Sequence, residues 1–469
     1  MMHFKSSFFD EPNDIRPFLT GSSNRVAVLD LTHGGIVLAR KLKKIISEVV
    51  AIDVYNTLSA EESNGLEREG IRTSQDALKA VDFDVIVSPV HLDNNYPMIV
   101  DAVNNNIPVL SHHAAVGEFL SEYNLKDKTL IEITGTKAKT STSILLAEIL
   151  SKEKKVITHT SRGVENWSTG TVIKKGLSIT PASILSALDA ITEAGIEFDV
   201  LISEISLGGT GAADIGVITT IANDYKIASN TRLASDAKRQ MILNAKPEST
   251  LVINNDALRF FGACRRDVKI ISFTESVDAS CNVYYENTDM IAFFLGKKQG
   301  RIHIPESHGY DISAYKTAFV CATAAALAMD IDADNIERSL LNFKGAQGRM
   351  IKTFLSGRTL IDNSNSGLDI QNAKKALMFA QAQGGRIVMV LGEEAKEVCE
   401  GLDPSGVARF IHKHLNELGA LVLVGERMKP LVNTENNIYY ADDLSSGIEL
   451  AKKLTQEKDT ILSCVKCFR

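Results

Sequence analysis

Long apolar runs are absent from this chain. No stretch reaches the roughly 18 consecutive apolar residues of a membrane-spanning helix, so no such helix is predicted. Net positive charge is absent too: 51 Lys and Arg stand against 58 Asp and Glu, for a formal charge of -7. That balance excludes a general nucleic-acid binder, which needs a cationic surface to displace counterions from phosphates. An anionic ligand must therefore meet a local basic pocket. Internal repeats and low-complexity tracts are missing as well, and Met1 to Asp10 lack the succession of basic, apolar and small residues that marks a signal peptide. A cytoplasmic location and no membrane partner are expected. Cysteine is sparse: Cys264, Cys281, Cys321, Cys399, Cys464 and Cys467 are scattered through segments that read mostly as strand or buried helix, so thiols are expected. The close pair Cys464 and Cys467 has no second pair and no neighbouring histidine, and reads as a chain-end spacing rather than a zinc or redox site.

The composition, 44% hydrophobic and 23% charged, is that of a globular protein. Its 469 residues exceed one compact core. Short apolar runs alternate with helical patterns through most of the chain, which predicts an α/β class with parallel sheets. A first, Rossmann-like domain is expected over 1–126, with strands at Arg25 to Asp30, Val49 to Asp53, Asp84 to Ser88 and Pro108 to Leu110. A second is expected over 127–343, where strand Thr129 to Ile133 enters a small-residue loop and a helix follows. After Gly309 a helix presents Tyr315, Ala318, Phe319, Ala322 and Ala325 as a core stripe. A third α/β domain is expected over 344–469.

The chemistry is concentrated in Thr134-Gly135-Thr136-Lys137-Ala138-Lys139-Thr140-Ser141. A strand, a small-residue loop and a helix start make an anion cradle, because unpaired backbone N–H groups and the helix dipole converge there. ATP is the natural ligand. Lys139 supplies a point charge between the outer phosphates, Thr140 a hydroxyl for Mg2+, and Ser141 a further hydrogen bond. Ala138 stands where a standard phosphate loop has glycine. A left-handed conformation there would cost about 1–2 kcal/mol, so a backbone that alanine tolerates is expected.

This run resembles the phosphate loop of the Mur ligase family, and further segments follow in the family's order. Leu201 to Ser206 resembles the strand whose glutamate binds magnesium, which places Glu204 in that role. Ala237 to Ile242 resembles the helix bearing a carbamylated lysine, Lys238, and Val252 to Asp256 the segment that gives Asn254 to the nucleotide. Phe343 to Arg349 resembles the linker whose arginine, Arg349, reaches ATP, and Leu360 to Ser364 the segment of the ribose-contacting Asp362. The resemblance implies a three-domain, ATP-dependent ligase that forms an acyl phosphate, with Lys139, Glu204 and Lys238 catalytic and Thr140, Glu204 and Lys238 around Mg2+. Tyr225 replaces the family's metal histidine, and Asp311 to Tyr315 departs from the usual helix start.

Domain one should select the carboxylate substrate. It has no Gly-x-Gly-x-x-Gly, so Asp53 at the end of strand two does not argue for a dinucleotide. Val28 to Gly35, Asp53 to Tyr55, Ser111 to His113 and the terminal Val-Lys-Cys-Phe-Arg resemble the branch of the family that acts on a nickel tetrapyrrole. That resemblance implies a small-molecule substrate that carries its own nickel, activation of a propionate side chain, and closure of a carbocycle with release of ADP and phosphate. Thr32, His33, Gly34, Gly35, His91, His112 and Arg162 are the expected substrate contacts. His33, His91, His112 and His113, at strand ends, are candidates to accept the proton that leaves the attacking carbon. Trp167 could stack on the macrocycle. A monomer or homodimer is expected. Two other readings stay open: an amide-forming ligase that adds an amino acid to a cell-wall or folate-like carboxylate, and an ATP-binding protein that no longer activates one.

Overall fold

The computed structural model describes residues 25–262, 265–306, 309–394 and 401–467. Met1 to Asp10, Cys264, Cys399, Phe468 and Arg469 lie outside the described residues. The chain forms two compact units, one of residues 1–304 and 317–340 and the other of residues 305–316 and 341–469. Among the described residues no helix is long and apolar enough to cross a membrane.

The first unit opens with β1 (Arg25–Leu29), α1 (Ile36–Lys43), β2 (Glu48–Ile52), α2 (Ala60–Arg68), β3 (Arg72–Ser74), β4 (Val85–Ser88), α3 (Pro97–Asn104), β5 (Val109–Ser111) and α4 (His112–Leu120). The strands lie in the order β3-β2-β1-β4-β5, and every pair is parallel. Val26 to Leu29 are fully buried, as a central strand covered on both faces requires. The chain leaves β1 toward β2 on one side and later returns to β4 on the other. The carboxyl ends of β1 and β4 therefore flank a topological switch point, where open α/β sheets hold their ligands.

A larger sheet follows. Its elements are β6 (Thr129–Thr134), α5 (Lys139–Leu150), β7 (Val156–Thr160), β8 (Gly163–Asn166), β9 (Thr171–Lys174), α6 (Ala182–Glu193), β10 (Val200–Glu204) and β11 (Ile215–Ile218), then a ribbon of β12 (Lys226–Ile227) and β13 (Arg232–Leu233). Next come α7 (Ala234–Lys238), α8 (Gln240–Leu243), β14 (Thr250–Asn254), α9 (Asn255–Phe261), β15 (Lys269–Thr274), β16 (Val283–Tyr285), β17 (Met290–Leu295), β18 (Lys298–His303), α10 (Lys316–Ala328) and α11 (Ala333–Asn342). The order is β18-β17-β16-β15-β14-β11-β6-β10-β7-β8-β9. The middle is parallel, and antiparallel strands extend both edges. The edge strands β9 and β18 are mostly exposed, so they lack the buried apolar run that makes a strand legible in sequence. Helix α10 is buried all round rather than along one stripe, with Thr323 and Ala324 as enclosed as Phe319. Side chains of α1, α4 and α6 share one apolar core.

In the second unit β19 (Ile351–Leu355), β20 (Arg358–Asp362), α12 (Ile370–Ala382), β21 (Ile387–Glu393), α13 (Pro404–His414), β22 (Ala420–Val424), β23 (Ile438–Ala441), α14 (Leu444–Leu454) and β24 (Thr460–Lys466) make a sheet of order β19-β20-β24-β21-β22-β23. Only β19 pairs antiparallel. Cys464 is a free, buried thiol, and Cys467 is buried beside it in sequence.

Candidate active site

The turn between β6 and α5 is fastened to the end of β11. Thr136 N donates to Thr220 O (2.9 Å), the Thr136 hydroxyl to Ala222 O (2.7 Å) and the Thr219 hydroxyl to Lys137 O (2.6 Å). Gly135 sits at φ 146, where a Cβ would lie 2.0 Å from Thr219 Oγ1, so only glycine fits. Ala138 overturns the expectation of a relaxed backbone. It is left-handed, with φ 65 and ψ 0, because the turn must reverse just before the first amides of α5. The strain, about 1–2 kcal/mol, is retained.

Lys139 Nζ donates to Gly135 O (3.1 Å) and lies 4.0 Å from Glu204 Oε1. The Thr140 hydroxyl donates to Glu204 Oε2 (2.8 Å), and the Ser161 amide approaches the same oxygen at 3.4 Å. Glu204 is buried at the end of β10, the strand beside β6, and Ser141 is buried on the first turn of α5. A buried carboxylate, a hydroxyl and an ammonium thus meet at a helix start. Such a hard-oxygen pair suits a magnesium ion on a triphosphate. Lys238 is fully buried at the end of α7, with Nζ 5.1 Å from the centroid of the Tyr225 ring. Asn254 caps α9 and donates to Thr219 O (2.8 Å), which supports the strand end that holds the loop.

At the β1/β4 crevice the sequence reading overlooked the central group, Asp30. This residue is fully buried, yet its backbone is left-handed at φ 66. Its Oδ1 accepts from Thr32 N (3.0 Å) and His33 N (3.3 Å), while Oδ2 meets His33 Nδ1 at 2.8 Å and His91 Nε2 at 3.0 Å. Burial by itself would raise the Asp30 pKa, but the bonds from the two imidazoles hold it well below the usual carboxylate range. Gly34, at φ 98, lets the turn approach α6 so closely that a Cβ would lie 2.8 Å from Ala182 Cβ, and Gly35 is the N-cap of α1. Asp53 spends its carboxylate on its own loop, accepting from Thr57 N and Leu58 N.

His112 and His113 do not lie in a turn that faces the crevice. Ser111 caps α4, and both imidazoles are enclosed in its first turn. Burial pushes their pKa values down to about 4 and about 3, so both are neutral near pH 7, and His112 Nε2 donates to Leu29 O (3.0 Å). Arg162 pairs with Glu165 (2.9 Å), and the Trp167 indole N–H donates to Thr158 (3.0 Å). A further buried imidazole went unnoticed in the sequence. His159, on β7, bonds to Ser178 O (2.9 Å), and burial lowers its pKa to about 4. In the second unit, Arg349 N closes a turn on Ala346 O (3.0 Å), and Asp362, ending β20, accepts from Ser364 N (3.1 Å).

Residues 133–312 match the Mur ligase middle domain, and residues 352–467 match the model described as "Coenzyme F430 synthetase CfbE, C-terminal domain". The chain is 44% identical to the coenzyme F(430) synthetase of Methanosarcina acetivorans, over 95% of this chain and 99% of the relative. To the enzyme of the same name from Methanocaldococcus jannaschii it is 24% identical, over 88% of this chain and 93% of the relative. Among solved structures it resembles MurF from Acinetobacter baumannii, with a TM-score of 0.54 at 15% identity over 81% of this chain and 87% of that one. The last likeness bears on fold alone: the three-domain α/β architecture of Mur ligases.

Proposed function

The chain belongs to the coenzyme F(430) synthetase family of Mur-type ligases, and from that premise we propose that it is an ATP-dependent ligase of coenzyme F(430) biosynthesis. The observation that carries this reading is the convergence of Lys139, Thr140 and Glu204 at the β6–α5 turn, with Thr140 and Glu204 bonded at 2.8 Å. ATP binds across the loop amides from Gly135 to Ser141. Lys139 lies between the outer phosphates, with Asn254 as a supporting contact. Thr140, Glu204 and a carbamylated Lys238 would hold magnesium, which supplies charge neutralisation on the transferred phosphoryl group.

The finer proposal concerns the acceptor. A propionate oxygen of the nickel seco-tetrapyrrole attacks the terminal phosphorus of ATP and ADP leaves. A ring carbon then attacks the acyl carbon, phosphate leaves, the carbon's proton passes to a base, and a carbocycle closes. A carboxylate is a poor electrophile until phosphorylated, and Lys139 offsets the charge that builds on the way. Because the second attack is intramolecular, fixing the macrocycle contributes on the order of 7–11 kcal/mol through proximity. Thr32, His33, Gly34, Gly35 and His91 are proposed to face the substrate at the β1/β4 crevice, with Arg162 as a carboxylate partner. The enclosed His112 and His113 stand behind that wall, with His112 bonded to Leu29 O at the end of β1.

The test is direct. The purified chain is mixed with ATP, magnesium and the nickel seco-precursor, and ADP, phosphate and the tetrapyrrole mass are followed. Loss of one water from the tetrapyrrole with one ADP per turnover is expected. Demand for a free amino acid would move the chain to amide formation. ATP binding without substrate-dependent phosphate release would make it a non-catalytic nucleotide binder.

A further inference from the structure

We propose that Asp30, His33 and His91 form a binding site for a divalent first-row transition metal, separate from the magnesium site of the phosphate loop. Asp30 Oδ2, His33 Nδ1 and His91 Nε2 make a triangle with sides of 2.8, 3.0 and 3.2 Å. An ion can sit above such a triangle at about 2.0–2.2 Å from each corner, the usual ligand distance for imidazole and carboxylate on zinc. Two imidazoles and one carboxylate on one face select borderline cations such as nickel(II), cobalt(II), zinc(II) and iron(II) over the all-oxygen preference of magnesium and calcium.

The site is held in shape before any ion arrives. Asp30 is fixed by the two backbone amides on its other oxygen, at a left-handed φ of 66 that a buried non-glycine residue keeps only when its surroundings impose it. The ligands come from separate places, the β1 end and the loop after β4, so convergence is a product of the fold and not of neighbouring sequence. A bare hydrogen-bonded cluster accounts for the triangle less well. It crowds two imidazole N–H groups onto one oxygen with the ring nitrogens 3.2 Å apart, whereas a shared cation takes a lone pair from each. Asp30 is enclosed, but both histidine side chains are 24% exposed, so the ion keeps open positions on the crevice side. Resting on the function proposed above, one of those positions takes a side-chain carboxylate of the tetrapyrrole, which anchors the macrocycle without touching its own nickel.

The experiment needs neither substrate nor nucleotide. Tag-free full-length protein is stripped with a chelator and titrated with cobalt(II) while visible absorption is followed. One equivalent per chain with d–d bands is expected, displaced by zinc(II) and nickel(II) and indifferent to excess magnesium. His33→Ala and His91→Ala should each weaken cobalt binding at least ~10- to 100-fold, the range for disturbed metal sites, and the double variant should lose the bands, with folding checked by circular dichroism. X-ray absorption of the nickel-loaded wild type, which depends on no variant, should show two imidazole scatterers. Absence of the bands, unchanged affinity in the double variant, or a spectrum without imidazole would overturn the proposal. A protein that binds cobalt here yet leaves the seco-precursor unchanged would instead defeat the function proposed above.

Discussion

Two strand-to-helix turns in the first unit solve the same geometric problem differently. The β1–α1 turn places Asp30 at φ 66 and the β6–α5 turn places Ala138 at φ 65, both left-handed without glycine. Asp30 offsets its strain with its own side chain, which accepts from Thr32 and His33 on one oxygen and meets two imidazoles on the other. Ala138 has no side chain able to do this, and its turn is held from outside, by Thr219, Thr220 and Ala222 gripping the loop backbone. The first turn presents side-chain donors, and the second presents backbone amides at the start of α5.

The largest expected effects separate the two. Lys139→Ala should lower turnover by ~10³ or more through loss of the cation beside the transferred phosphoryl group, and Glu204→Gln by ~10² to 10³ through weaker hold on magnesium. His91→Ala should act on the other substrate, raising KM for the tetrapyrrole about tenfold, equal to about 1.4 kcal/mol, while the affinity for ATP stays as it was. Steady-state kinetics with each substrate varied in turn decides this. If His91→Ala weakens ATP binding as much as it weakens the tetrapyrrole, the two turns do not divide the labour.

The phosphate turn was legible because Gly135, Lys139 and Thr140 are contiguous and the small-residue loop betrays the backbone's role. The parallel α/β alternation was legible because buried strands such as Val26 to Leu29 are apolar on both faces. Asp30 was not, since its partners His33 and His91 are three and 61 positions away and only the β1/β4 switch brings them together. Nor was the enclosure of His112 and His113, because a histidine that opens a helix looks the same in sequence whether it faces solvent or the core. The hairpins at the sheet edges escaped for want of a buried apolar run.

A medium effect concerns β6 itself. Burial pushes the Glu132 carboxyl up to about 7, against the hydrogen bonds from Thr210 that lower it. A folded pKa above the unfolded value means that folding favours the protonated form. This contribution is fully present below about 4.5 and is lost as pH rises through about 7, by at most about 3 kcal/mol. His112 and His113 act in the opposite sense, and their contribution is lost only as pH falls from 6.5 through about 4 and about 3. Above pH 6.5 the Glu132 effect is therefore isolated from theirs. Thermal melts of the wild type should fall between about pH 6.5 and pH 8, and Glu132→Gln should flatten that slope. An equal slope in the variant would place the titration elsewhere.

The smallest effect is the most discriminating, because one replacement should act with opposite signs at the two turns. Ala138→Gly removes left-handed strain of about 1–2 kcal/mol and adds the chain entropy of glycine, about 0.5–1 kcal/mol, for a net gain of about 0.5–1 kcal/mol and a melting temperature ~1–3 °C higher. Asp30→Gly removes the same strain but also both amide bonds and the imidazoles' anion, and should lower the melting temperature by several degrees. Because the loop is gripped by Thr219, Thr220 and Ala222 and not by Ala138, ATP affinity in Ala138→Gly should stay within about twofold, below 0.5 kcal/mol. A loss of stability at Ala138 would show that its methyl group, rather than the grip of β11, holds the phosphate turn.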